Sequence, residues 1–165
     1  MYANASLLQQ AVAHNGLGRA GRDLEARRRG GQAFWKARTV GMWKRFWHRL
    51  AGRSCALLDL DEALTNARVA GRSYVGIRQV PIDRIWGSEG RVEDFDAGFY
   101  PLQSHNMDRW VSVAAARQMG ISLPPVELVQ IGEVYYVRDG HHRISVAKAL
   151  GQKEIEAEVT LWQLA

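Results

Sequence analysis

From Glu154 to Leu161 the chain reads EIEAEVTL, with Ile155, Ala157, Val159 and Leu161 alternating with Glu154, Glu156, Glu158 and Thr160. A period of two belongs to a strand, because successive side chains leave the backbone on opposite faces. One face of this strand must be buried and the other wet and acidic, which requires a sheet with a core beneath it. Just upstream, Val126–Ile131 and Val134–Arg138 are apolar and β-prone, with Gly132-Glu133 between them as the turn of a hairpin. A helix over about 141–150, closed by Gly151, separates the hairpin from the last strand.

Earlier segments follow the same logic. Asp59-Leu60-Asp61-Glu62 has the form of a capping box and predicts a helix over 60–69, ended by Gly71. Tyr74–Val80 is β-prone and leads through Pro81–Ile85 into a Gly-rich turn, Trp86–Arg91. Asn106 is placed to cap a helix over 107–119 with Trp110, Val113 and Ala114 on one face. Gly120 stops that helix and Pro124-Pro125 forbids its continuation. Tyr135 and Tyr136, as neighbours on a strand, are expected to divide between core and surface. The predicted class is α+β, a small mixed sheet with helices over residues 54–165.

Residues 1–53 differ in kind. Between Arg19 and Arg53 stand eleven basic residues against only Asp23 and Glu25, so the rest of the chain is net acidic. Residues 1–33, broken by Gly16, Gly18, Gly21, Gly30 and Gly31, read as a mobile or weakly helical arm. Residues 34–50 read as a helix, with Trp35, Met42, Trp43, Phe46 and Leu50 at three- and four-residue spacing. The plainest expectation is that this stripe packs on the domain. Its three tryptophans and two phenylalanines in 17 residues also suit a protein partner, a second copy, an anionic membrane surface or nucleic acid. For nucleic acid or a partner, the candidate contacts are Arg27, Arg28, Arg29, Lys36, Trp43, Lys44, Arg45 and Trp47. No apolar run approaches the roughly 20 residues that span a bilayer. Cys55 stands alone, which excludes a disulfide framework and fits a reducing, cytoplasmic setting.

The chemistry concentrates in Val137–Arg143, VRDGHHR, where a strand passes into a helix. First-turn amides of a helix lack internal partners, and the macrodipole adds about half a positive charge there. Gly140 permits a sharp turn and the close approach of an anion to the amides of His141, His142 and Arg143. The Arg143 guanidinium suits phosphate oxygens. Asp139 is open to three readings: a helix cap, a Mg²⁺ ligand, or a base. Adjacent helical histidines point about 100° apart, which argues against their gripping one metal ion. A plain capped turn with half-buried histidines accounts for the spacing equally well. In Gly87-Ser88-Glu89-Gly90-Arg91, Glu89 and Arg91 offer a carboxylate and a guanidinium to a cleft edge, or form an exposed turn. His105, Asp108 and Arg109 lie near the following helix start, lining the same cleft or forming a solvated cap.

The run VELVQIGEVYYVRDGHHRISVAKALGQKEIEAEV, with VPIDRI, GRVEDFD and GISLPPV upstream, resembles the core of the ParB/sulfiredoxin superfamily over roughly Gln79–Val159. The DGHHR form looks most like the branch that holds ParB-like proteins and free serine kinases, and the longer pattern like small bacterial ParB-like proteins. The resemblance implies a loop that binds nucleotide phosphates (ATP, ADP or CTP) with Mg²⁺ held at Asp139. It implies catalytic roles for Asp139 and Glu89, and phosphate contacts from Gly140, His141, His142, Arg143 and Arg91. His141 stands where sulfiredoxins carry their cysteine, so sulfiredoxin chemistry is not expected. With the last strand followed directly by Ala165, the helix-turn-helix of partition proteins is not expected. The expected activity is nucleoside-triphosphate hydrolysis or phosphoryl transfer. The alternative is a non-catalytic DNA- or RNA-binding or partner-docking protein using the basic arm, with nuclease activity between the two.

Overall fold

The structure, a computed structural model, describes residues 3–65 and 67–165, with side chains from Gly18 onward. The protein is α+β: a six-stranded mixed sheet with helices, preceded by a long helix. In chain order the elements are α1 (Ala3–Leu50), β1 (Leu58–Asp59), α2 (Leu60–Leu64), β2 (Val69–Pro81), β3 (Ile85–Ser88), α3 (Met107–Gln118), β4 (Val126–Ile131), β5 (Val134–Asp139), α4 (His141–Ala149) and β6 (Glu154–Leu164). The strand order is β1-β3-β5-β4-β6-β2. The β4–β5 hairpin sits at the centre, β3 runs parallel to β5, β6 parallel to β4, and β2 closes one edge antiparallel to β6.

The alternation that defines β6 holds for Ile155, Ala157 and Val159, all buried. They join Val126, Leu128, Val137, Ile144 and Phe95 in the main core, between the sheet and α4. Leu161, next on that face, is only partly buried, while Trp162, on the opposite face with Glu154, Glu156 and Glu158, fills a smaller core with Leu60, Val129 and Tyr136. Tyr135 and Tyr136 are both buried, one in each core, because both faces of β5 are covered. A division between core and surface would need one bare face, and β5 has none.

Helices stack outward from the main face. A third cluster, Phe34, Ala37, Trp110, Ala114 and Val146, joins α1, α3 and α4. Trp110 Nε1 donates to Ser145 Oγ at 2.9 Å, so the largest side chain of the cluster keeps its polar edge satisfied.

Several expectations need correction. Residues 3–33 are not a separate arm; α1 runs unbroken into the stretch 34–50. Its inner glycines serve close approach: a Cβ on Gly30 would stand 3.3 Å from Val111 Cγ1, and one on Gly41 only 2.4 Å from Tyr100 Cβ. The expected mobile character of residues 1 and 2, and of side chains before Gly18, lies outside the described residues. The inward face of α1 is Ala26, Gly30, Phe34, Ala37 and Gly41, while Trp35, Met42, Trp43, Phe46 and Leu50 point to solvent. The stripe does not pack on the domain, because small residues let the opposite face approach more closely. Helix α2 is five residues long, and Gly71, the expected stop, lies inside β2. Asp59 caps the N-terminus of α2, accepting from the Asp61 amide at 2.8 Å. Asn106 does not cap α3; it sits in a 3₁₀ turn, buried, with its Nδ2 unpaired. The Gly-rich turn Trp86–Arg91 is partly strand: Gly87 is paired in β3, where any Cβ would meet the Tyr136 ring at 2.3 Å.

Candidate functional site

Strand β5 ends at Asp139 and α4 begins at His141, so Gly140 alone makes the turn, at φ 101° and ψ 19°. That left-handed conformation disfavours any side chain, and a Cβ there would stand 2.5 Å from Val126 Cγ1 in the core. The chain must therefore turn at this glycine. The helix it opens presents the first-turn amides of α4, which have no partners within the helix.

Both histidines point inward. His141 Nε2 and Ser88 Oγ share a buried hydrogen bond at 2.6 Å, tying the end of β3 to the start of α4. The Ser88 oxygen also accepts from the Arg91 amide at 3.3 Å. Phe95 packs against both imidazoles, stacked on His141 and edge-on to His142. His142 is buried with its Nε2 unpaired. Burial, reinforced by Arg91 and by the neighbouring ring, pulls His141 down to about 4. Burial, then Arg109 and Arg91, does the same to His142. Near neutral pH both rings are uncharged.

Against this floor lies a cavity of about 340 Å³, lined by Asp139–Arg143, Arg91, Arg109, Val113, Leu123 and Pro124. Arg91 and Arg109 bring the positive charge. Arg91 is shared with Asp94 at 3.3 Å, and Asp94 also meets His105 Nε2 at 3.5 Å. Arg143 lines the cavity but its fork is engaged: Nη1 donates to the carbonyls of Pro124 and Pro125 at 2.6 and 2.7 Å, and Nη2 pairs with Asp139. Its visible work is to hold the Pro124-Pro125 turn and the Asp139 carboxylate. Asp139 is largely exposed at the mouth.

Glu89 is elsewhere. Along β5, Val137 and Asp139 face the α4 side while Tyr136 and Arg138 face the other. Glu89 Oε2 accepts from Arg138 Nε at 2.7 Å, and Arg138 in turn lies over Trp162 on that opposite face. Glu89 is not among the residues lining the cavity. Among the described residues, no three His, Cys, Asp or Glu side chains gather around a metal-sized site. A Mg²⁺ at Asp139 would thus have one protein carboxylate.

The N-terminal candidates divide by their partners. Arg27 pairs with Asp23 and Arg29 with Glu25 along the helix. Arg45 donates to buried Asp96 at 2.7 Å, and Lys44 donates to the Tyr100 hydroxyl at 3.0 Å. Arg28, Lys36, Trp43 and Trp47 are exposed. Among the described residues, no helix is long and apolar enough to cross a membrane.

Of the residues named from sequence, the cavity gathers Asp139–Arg143 and Arg91, together with Arg109. What pattern reading did not assign is the support: Ser88 under His141, Phe95 between the imidazoles, and Asp94 behind Arg91. Phe95 and Asp94 belong to an irregular segment with no periodic signal, and only the GSEGR turn hinted at Ser88.

No family model matches the chain, and no curated protein matches it. Among solved structures, sulfiredoxin from Arabidopsis thaliana is similar over 50% of this chain and 82% of its own length, at 19% identity and a TM-score of 0.36.

Proposed function

We propose that the protein binds a nucleotide by its phosphates at the turn into α4, as a ParB/sulfiredoxin-like domain of the DGHHR branch. One observation carries the reading. Arg91, Arg109 and the start of α4 converge on a single cavity whose histidine floor is uncharged. A volume of about 340 Å³ suits a phosphate chain with part of its nucleoside. The unpartnered amides and two guanidinium groups favour an anion there, and the neutral rings add no competing charge. Arg143 serves by positioning Asp139 and the Pro124-Pro125 wall.

Mg²⁺ entering with the nucleotide would neutralise phosphate charge, and Asp139 is the carboxylate at the mouth that would hold it. One carboxylate with substrate phosphates is an ordinary Mg²⁺ arrangement. Phosphoanhydride cleavage or phosphoryl transfer would then rest on positioning and charge, with Asp139 holding the metal or, in its place, acting as base to a nucleophile. Glu89 has no part in this reading, being held by Arg138 on the other face.

The test is a thermal-shift panel of ATP, ADP, CTP and GTP with and without Mg²⁺, on wild type, Arg109→Gln and Asp139→Ala. Stabilisation by at least one nucleotide, lost in Arg109→Gln, is the expected result. Phosphate release that disappears in Asp139→Ala while binding persists would assign the chemistry. No stabilisation of wild type by any of the four overturns the proposal.

A further inference from the structure

The side of α1 turned away from α3 is an apolar ridge. Trp35, Met42, Trp43, Phe46, Trp47 and Leu50 each leave half or more of their surface in solvent. With Phe34, Ala37 and Gly41 facing inward, the 3.6-residue period puts this stripe on the outermost surface of the protein. The aromatic rings support one another edge to face, Trp43 to Phe46 at 6.1 Å and Phe46 to Trp47 at 5.7 Å. Exposed aromatic residues massed in this way mark an interaction surface.

Charge narrows the partner. No acid occurs between Glu25 and Asp59. On the helical wheel Arg38 and Arg49 border the stripe on one side, and Lys36 falls near its other margin, between Trp43 and Trp47. None of the three makes a salt bridge among the described residues. An isologous contact with a second copy would face like charges across the ridge, so self-association through this face is disfavoured. Shape narrows it further. The surface is convex, and its tips include Met and Leu as well as aromatic rings, already packed against each other rather than spaced for bases. A cation-edged apolar ridge of this form suits a fluid interface with anionic headgroups, where Trp and Phe lie at the headgroup boundary and Lys and Arg meet phosphates. Beside the ridge an open cleft of about 810 Å³, lined by Met42, Phe46, Val92 and Leu102 with Arg49 and Arg53 among its basic residues, adds apolar surface next to positive charge.

We propose that residues 35–50 dock the protein on an anionic lipid surface, with α1 lying in the plane of the interface and the sheet domain facing away from it. This surface is independent of the cavity at α4.

The full chain would be sedimented with vesicles of phosphatidylcholine alone and with vesicles one-third phosphatidylglycerol, beside a vesicle-free control. Binding is expected to the anionic vesicles and to weaken with salt. Arg38→Gln with Arg49→Gln should lower it about fivefold per arginine removed. Trp43→Ser with Phe46→Ser should lower it by about tenfold or more, since both rings lose their insertion. These side chains are exposed, so circular dichroism melts of both variants should match wild type. Wild type that stays in the supernatant with anionic vesicles overturns the proposal. So does vesicle binding unchanged by the Trp43/Phe46 pair. If that pair instead abolishes binding to a single-stranded oligonucleotide and leaves vesicle binding intact, the face reads nucleic acid and the lipid assignment is wrong.

Discussion

Ser88 Oγ lies 2.6 Å from His141 Nε2, and both residues are buried. The bond joins the last residue of β3 to the first of α4 across 53 positions, so the cavity's floor is fixed by the sheet. Ser88→Ala would leave a buried imidazole nitrogen without a partner. The expected loss is about 1–3 kcal/mol, the cost of an unsatisfied buried polar group. Urea unfolding of the two proteins measures it. A loss of only a few tenths would mean that the hydrogen bond contributes nothing net.

Acid should destabilise the protein over a definite window. His141 and His142 are both held down to about 4, below the ordinary value near 6.5. Between those limits the unfolded chain binds protons that the folded chain refuses, so stability is complete above about pH 6.5 and falls toward pH 4. Each proton taken up on unfolding contributes a slope of about 1.4 kcal/mol per pH unit. Chemical unfolding across this range should show the decline, with a shallower slope in His142→Asn. Stability that is flat from pH 6.5 to 4.5 would contradict buried neutral rings.

Gly140→Ala should be among the costliest single substitutions in this fold. Left-handed backbone costs an alanine about 1–2 kcal/mol. The methyl would also stand 2.5 Å from Val126 Cγ1, and overpacking of that kind costs about 1–3 kcal/mol more. The prediction is a loss of about 2–5 kcal/mol in unfolding free energy. A variant within 1 kcal/mol (about the lower bound for the backbone alone) would show that the turn relaxes freely.

The same substitution should act in opposite directions along α1. At Gly21 a Cβ meets nothing within 4 Å, so Gly21→Ala should add up to about 1 kcal/mol of helix propensity. At Gly41 a Cβ would be 2.4 Å from Tyr100 Cβ, so Gly41→Ala should destabilise despite that gain. Paired thermal melts decide the point: equal signs would mean that α1 does not hold its contact with the Phe95–Pro101 segment.

The legible parts of the sequence were those where local pattern and tertiary demand agree. The β4–β5 hairpin, α4 and most of β6 follow from turn residues and periodicity, because each has a single buried direction or a central place in the sheet. Strand β2 is a mixed case. Tyr74–Val80 reads as a strand, but Gly71, Arg72 and Ser73 before it are poor advertisements for one, yet β6 offers a ladder along the whole length, and a bulge at Tyr74–Gly76 absorbs the misfit. α1 misled through its own amphipathicity. A stripe of tryptophans is ordinarily a core face, and nothing local reveals that glycine and alanine on the other side will make the closer contact. At the candidate site, the turn and its flanking charges were readable from DGHHR. The face on which Glu89 lands was not, since it depends on the register of β3 against β5.

The double constraint on Gly140 bears on how related sequences should be interpreted. Its φ and its contact with Val126 leave no room for another residue, whatever occupies the cavity. Glycine recurring at that column of an alignment would therefore report inheritance of the architecture and carry no information about ligand. The columns with diagnostic value are 91 and 109, whose guanidinium groups line the cavity. Joint retention of arginine at both would trace selection for an anion, and their independent drift would trace its loss.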